Sequence, residues 1–134
     1  LYEQLLPDNI RVLGEDHPQT LTLRNNLAGA YYAAGRLEEA ITLCQQVLTN
    51  RIRVLGPDHP DTLASRNNLA YAYRAVGRLT EAITLYEQVT KDCARILGED
   101  HPLTKKVREN LKAARRELAQ QEGDSRTEEN DAQD

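Results

Sequence analysis

Histidine recurs at positions 17, 59 and 101, arginine at 24, 66 and 108, and asparagine at 26, 68 and 110, in each case 42 residues apart. Each series has its own chemistry. A carboxamide both donates and accepts, so one asparagine per 42 residues can hold the backbone of an extended chain without reading its side chains. The same groups can instead bond a neighbouring helix and fix how repeats stack. The arginines either meet a ligand carboxylate or pair with Asp or Glu near the turns, and a charge that recurs in every repeat reads first as a structural pair. The histidines cannot share a metal. They occupy equivalent turns, separated by at least the 8–10 Å between packed helices, whereas zinc needs its nitrogens about 2 Å from one centre. Their expected role is to shape the approach to Pro18, Pro60 and Pro102, and no metal or cofactor is expected.

These series sit inside a longer repeat. The string Leu-Gly-x-Asp-His-Pro begins at Leu13, Leu55 and Leu97. Self-similarity at such a period signals a stacked array that builds an extended surface rather than an enclosed site. From Pro18, the apolar positions Leu23, Leu27, Ala30, Tyr31 and Ala34 recur at steps of three and four, one face of a helix. Pro18 suits its first turn and Gly35 its left-handed end. A second helix follows from Leu37 to Leu55, with Leu37, Ala40, Ile41, Leu43, Cys44, Val47, Leu48 and Ile52 as apolar positions and Gly56 as its stop. The short break at Gly35 and Arg36 folds the two into an antiparallel hairpin. Residues 60–97 repeat the pattern.

The ends read differently. Residues 1–13 align with 85–97, so the chain opens on the second helix of a preceding unit, and Pro7 inside it should make that helix kink or begin late. Residues 102–121 form a third first-helix with no second-helix after it. Lys112, Arg115 and Arg116 replace small or aromatic residues there, the polar outer face of a cap. Residues 122–134 hold six acids and one base. With almost nothing to bury, they read as a disordered acidic tail. The expected plan is therefore an all-α superhelix of about six antiparallel helices: 1–14 a half unit, 15–56 and 57–98 full units, 99–121 a capping helix, 122–134 a tail.

Composition narrows the functional classes. Without the tail the charge is near neutral, 16 bases against 15 acids, which argues against nucleic acid as a partner. No run approaches the roughly 18 apolar residues of a membrane span. Cys44 and Cys93 form no CxxC pair and read as small buried apolar residues in a reducing, cytoplasmic setting. No nucleophile elbow, phosphate loop or metal cluster is present, so no enzyme activity is expected.

Leu27-Ala28, Tyr31, Gly35, Leu37, Ala40 and Val47-Leu48 in the first unit return as Leu69-Ala70, Tyr73, Gly77, Leu79, Ala82 and Val89 in the second, with Tyr86 added. This pattern resembles the tetratricopeptide repeat. The Leu-Gly-x-Asp-His-Pro turn and Asn-Asn-Leu-Ala resemble its 42-residue kinesin light chain type, over residues 1 to about 118. The third unit departs from it, with Lys112 where Ala28 and Ala70 stand and Arg115 where Tyr31 and Tyr73 stand.

The resemblance implies a peptide- or protein-binding module whose ligand lies on the concave face. The residues expected there are Asn25, Asn26 and Tyr32, then Asn67, Asn68, Tyr71 and Arg74, then Lys106, Asn110 and Arg116. In related grooves the matching asparagine holds the peptide backbone, which favours Asn26, Asn68 and Asn110. The basic third helix points to a peptide with acidic side chains or a free C-terminal carboxylate. The acidic tail, tethered beside that helix at high effective concentration, could fold back and compete with ligand, and the sequence does not decide whether it does. A second class is self-association, a homodimer through Leu1, Leu5 and neighbouring apolar residues of the opening helix.

Overall fold

Each His-Pro step starts a helix, for a reason local to the sequence. The computed structural model describes residues 5, 7, 10–12, 14 and 17–133, with side chains as far as Ser125. A residue before proline is pushed out of the helical region into extended backbone, which is the conformation a helix-capping residue needs. His17 and His59 adopt it, with φ −63° and −66°. The Nδ1 atoms of His17, His59 and His101 then accept the backbone N–H of Gln19, Asp61 and Leu103 at 3.1, 3.0 and 3.1 Å. The turn role expected of the histidines is thus a hydrogen bond to an otherwise orphaned helix donor.

Five helices follow from end to end: α1 (Pro18–Ala33), α2 (Leu37–Leu55), α3 (Pro60–Ala75), α4 (Leu79–Leu97) and α5 (Pro102–Gln133). Ahead of them Leu5, Pro7 and residues 10–12 are also helical. The opening helix is therefore under way before Pro7, not after it. Leu1 lies outside the described residues.

The hairpins close through glycine. Gly35 and Gly77 take φ +78° and +85°, a region that costs other residues strain. Arg36 N–H then reaches back to the Tyr31 carbonyl at 2.8 Å, and Arg78 N–H to that of Tyr73 at 2.9 Å, which satisfies carbonyls the helix end leaves open. Each arginine also lies over the ring it follows, 4.3 Å from Tyr31 and 4.6 Å from Tyr73, and pairs with Glu39 or Glu81 three residues on.

The helices stack in chain order, α1 on α2, α2 on α3, α3 on α4 and α4 on α5, with α3 also touching α5. Two core clusters result. One joins Leu27, Ala28, Ile41, Leu43 and Cys44 to Leu69 and Ala72 of the next unit, and the other joins Leu63, Ala70, Ala82, Tyr86 and Val89 to Val107, Leu111 and Ala114. Leu21 and Ala28 are buried, whereas Ala30, Ala34 and Ile52, read above as apolar-face positions, are exposed. Ala72 and Ala114, the counterparts of Ala30 one and two periods on, lie in the core clusters.

The main correction concerns the C-terminus. The last helix does not end at Gln121, and the expected disordered tail is part of it: α5 runs on to Gln133. Extending an existing helix needs no new nucleus. The segment carries no proline, and Gly123 is its sole strong helix breaker. A continuous helix does not fold back on the array, so the tail is not in the groove. Lys112 and Arg115 are exposed, facing Glu109 at 3.8 Å and Glu87 at 3.4 Å.

Candidate functional site

The first helices of successive units, α1, α3 and α5, form one face. Their cross-links define it. Asn68 Nδ2 donates to Asn25 Oδ1 at 3.3 Å, and Asn110 Nδ2 to Asn67 Oδ1 at 3.1 Å. The Tyr32 hydroxyl donates to that of Tyr71 at 3.4 Å, and Arg74 grips Glu117 Oε1 through Nε at 2.8 Å and Nη2 at 2.5 Å. On α5, Lys106, Asn110, Ala113 and Glu117 follow at steps of four, three and four, one stripe of a helix.

The asparagines therefore divide. Asn67 is buried, while Asn25, Asn68 and Asn110 are half-buried and already joined across the unit boundary. Asn68 and Asn110 each keep a second N–H and the carbonyl oxygen. Asn26 is exposed and makes no side-chain hydrogen bond among the described residues.

Tyr32 and Tyr71 sit at the middle of the face, rings tilted by 55° with centroids 5.5 Å apart. The hydrogen bond to Tyr71 raises the Tyr32 phenol above its ordinary pKa. The two rings border two cavities. One, of about 230 Å³, reaches inward to Ala28, Ala40, Cys44 and Ala72, and carries Asn25 and Asn68 at its edge. The other, of about 240 Å³, is bounded by Arg74, Ala75 and Glu117.

The charge on this face differs from the sequence expectation. Arg74 is neutralised by Glu117, whose hydrogen bond raises the guanidinium pKa. Arg108 pairs with Glu99, and Arg66 with Asp92 at 2.7 Å; the latter bond holds the Asp92 carboxyl below its usual range. For these two members, the recurring arginine is a structural pair. Arg24 is buried. Among the described residues, Lys105, Lys106 and Arg116 have no carboxylate within 4.0 Å and are exposed. Positive charge is thus confined to the α5 side.

Glu117 and Cys44 were missed from sequence: Glu117 answers Arg74 and Cys44 lines a cavity. Asn25 and Asn67, named from sequence for the concave face, act as acceptors for the next unit. Glu117, Asn25 and Asn67 each lie 43 residues from their partners, one more than the period, a relation visible only once helices are placed side by side. Cys44 was legible against Tyr86 at one period.

The tetratricopeptide repeat family model matches residues 21–93 and 66–123. The chain belongs to the tetratricopeptide repeat family. Its repeats are similar to those in the crystal structure of a Podosopora anserina protein classed with kinesin light chains and built of nearly identical TPR-like repeats. That match has 34% identity and a TM-score of 0.76, and covers 96% of this chain and 61% of that one. A point variant of the same protein gives 35% identity and a TM-score of 0.77 over the same shares. The chain thus spans about three fifths of the structures it matches. BtubC (BKLC) from P. vanneervenii shares the fold, with a TM-score of 0.71 at 19% identity, over 84% of this chain and 44% of that one. No curated protein matches the chain. Tetratricopeptide arrays of this kind are a protein-interaction fold. Among the described residues, no helix is long and apolar enough to cross a membrane and no group of three metal-ligating side chains is present.

Proposed function

We propose that the face formed by α1, α3 and α5 binds an extended peptide segment of a partner protein, as a non-enzymatic scaffold in the cytoplasm. The observation that carries this reading is the pair Tyr32 and Tyr71. Two exposed aromatic rings from successive hairpins stand together between two cavities, and exposed aromatics at concave sites are characteristic anchors of recognition. Asn26, Asn68 and Asn110 offer free carboxamide valences along the same face for a peptide backbone. Lys106 and Arg116 favour an acidic side chain or C-terminal carboxylate toward the α5 end. The Arg74–Glu117 pair is already satisfied and contributes shape there rather than charge.

Selection of peptides from a displayed random library tests this. Enriched peptides should lose at least tenfold in affinity with Tyr71→Ala and with Asn26→Ala, and be unaffected by Gln88→Ala on exposed α4. Equal loss at Gln88, or no enrichment, would refute it.

A second reading, self-association, is favoured by exposed Leu5, Val12, Ile52, Val54 and Leu55. Light scattering across concentration should then show a dimer that Leu5→Asp or Val54→Asp returns to monomer; a monomer at every concentration excludes it.

A further inference from the structure

The arginine that recurs at 24, 66 and 108 has different surroundings in the first unit. In the second unit Arg66 meets Asp92 at 2.7 Å. One period earlier the matching residues are Arg24 and Asn50, and Glu87 is matched by Gln45. Two carboxylates of α4 are thus carboxamides in α2, and Lys91 is matched by Thr49. A cavity of about 340 Å³ lies at this place, lined by Arg24, Thr42, Gln45, Gln46, Thr49 and Asn50. None of these residues borders the two cavities at Tyr32 and Tyr71. It is a separate site, built from α1 and α2.

Its charge is one-sided. Arg24 is only 6% exposed, and no carboxylate stands among the lining residues. A guanidinium stays charged and carries five N–H donors, so it can serve a structural contact and a ligand together. Low-dielectric surroundings strengthen its attraction for an anion. The Thr42 and Thr49 hydroxyls donate to the carbonyls of Glu38 and Gln45 at 3.1 and 2.9 Å, and Gln45 gives an N–H to the Tyr73 hydroxyl at 3.0 Å. Donors for a ligand therefore come from Arg24 and from the carboxamides of half-buried Asn50 and exposed Gln46. A carboxamide can donate where the Asp92 carboxylate can only accept.

We propose that this cavity binds a carboxylate, seated on Arg24 as Asp92 is seated on Arg66, with Asn50 and Gln46 donating to it. The second unit identifies the class of ligand, because there the protein supplies a carboxylate to the same arginine position from within. The planar fork of a guanidinium matches a carboxylate in shape as well as charge. Two sources carry that chemistry: a free carboxylate ion, or an Asp or Glu side chain of a partner segment crossing α2. The site lies outside the α1–α3–α5 face and does not depend on the groove reading.

Acetate, the aspartate side chain as a free ion, is the probe. The Arg24 Nε–H resonance is followed by NMR as sodium acetate replaces sodium chloride at constant ionic strength. It should shift saturably, while that of Arg66, already seated on Asp92, stays fixed. Asn50→Asp supplies the carboxylate from within and should abolish the titration. Gln46→Glu, a change at an exposed position, should weaken acetate at least threefold without touching the core, and circular dichroism reports whether either variant folds. An Arg24 resonance that responds to acetate no more than to chloride overturns the proposal, and so does a titration unchanged in both variants. Peptide selection on a Tyr71→Ala, Asn26→Ala background then separates the sources. Enriched peptides that share one Asp or Glu and are lost with Asn50→Asp assign the site to a partner side chain. Acetate binding without such peptides assigns it to a free carboxylate.

Discussion

Asn110 and Asn67 join α5 to α3 through a single carboxamide bond of 3.1 Å, and Asn68 and Asn25 join α3 to α1 in the same way at 3.3 Å. The asparagines are thus a lattice between units before they are anything else. Asn67 is almost fully buried, so removing its donor strands a buried oxygen. Asn110→Ala should cost about 1–2 kcal/mol, read by urea denaturation. Asn67→Ala with Asn110→Ala should cost less than the sum of the two single changes. Strict additivity would mean that the bond does not couple the helices.

Arg66 and Asp92 should set the acid limb of stability. The hydrogen bond from Arg66 lowers the Asp92 pKa, with Arg95 adding to it. A carboxylate whose pKa is depressed on folding stabilises the protein above its unfolded value, about 3.9, and that contribution is lost as pH falls through the lower folded value. The pair is partly exposed, so its worth is on the order of 1 kcal/mol. Asp92→Asn should flatten the loss of stability below pH 4, measured as urea midpoint against pH.

Tyr86 should set the alkaline limb. Burial pushes its phenol up to about 12, while nearby Arg74 pulls the other way without hydrogen-bonding it. A group whose proton is held more tightly in the folded state contributes stability below the unfolded pKa, about 10, and loses it as pH rises toward the folded value. The shift of about two units corresponds to roughly 2–3 kcal/mol across this window. Tyr86→Phe should remove that slope between pH 10 and 12 and cost little at neutral pH, because its hydroxyl has no partner to lose.

His59→Ala should expose the cost of the histidine caps. The Asp61 N–H loses its acceptor, and cap removal typically costs about 1 kcal/mol. Amide exchange at the start of α3 should accelerate by about fivefold. His59→Asn should restore protection, since asparagine caps well; no rescue would mean that histidine acts there through the turn and not the cap.

Gly123→Ala should lengthen the life of the terminal part of α5. Gly123 is helical with open space at its Cβ position, and glycine inside a helix costs about 1 kcal/mol relative to alanine. Helicity by circular dichroism should rise while the global urea midpoint stays fixed, because this stretch is exposed. A shifted midpoint would show that the segment is coupled to the core.

The sequence by itself determined the architecture. The 42-residue period, the His-Pro starts and the glycine stops are local signals, and each acts within one helical turn. For that reason the bounds of α2 and α4 were legible in the sequence. The end of α5 was misread because composition describes what a segment can bury, not whether a helix already formed will propagate through it. Tertiary structure alone decided what the candidate residues do. The periodic reading placed Asn26, Asn68 and Asn110 as equals, yet Asn68 and Asn110 bond across to Asn25 and Asn67 one unit earlier, whereas Asn26 makes no side-chain hydrogen bond among the described residues. Arg74 read as free positive charge until α5 brought Glu117 against it.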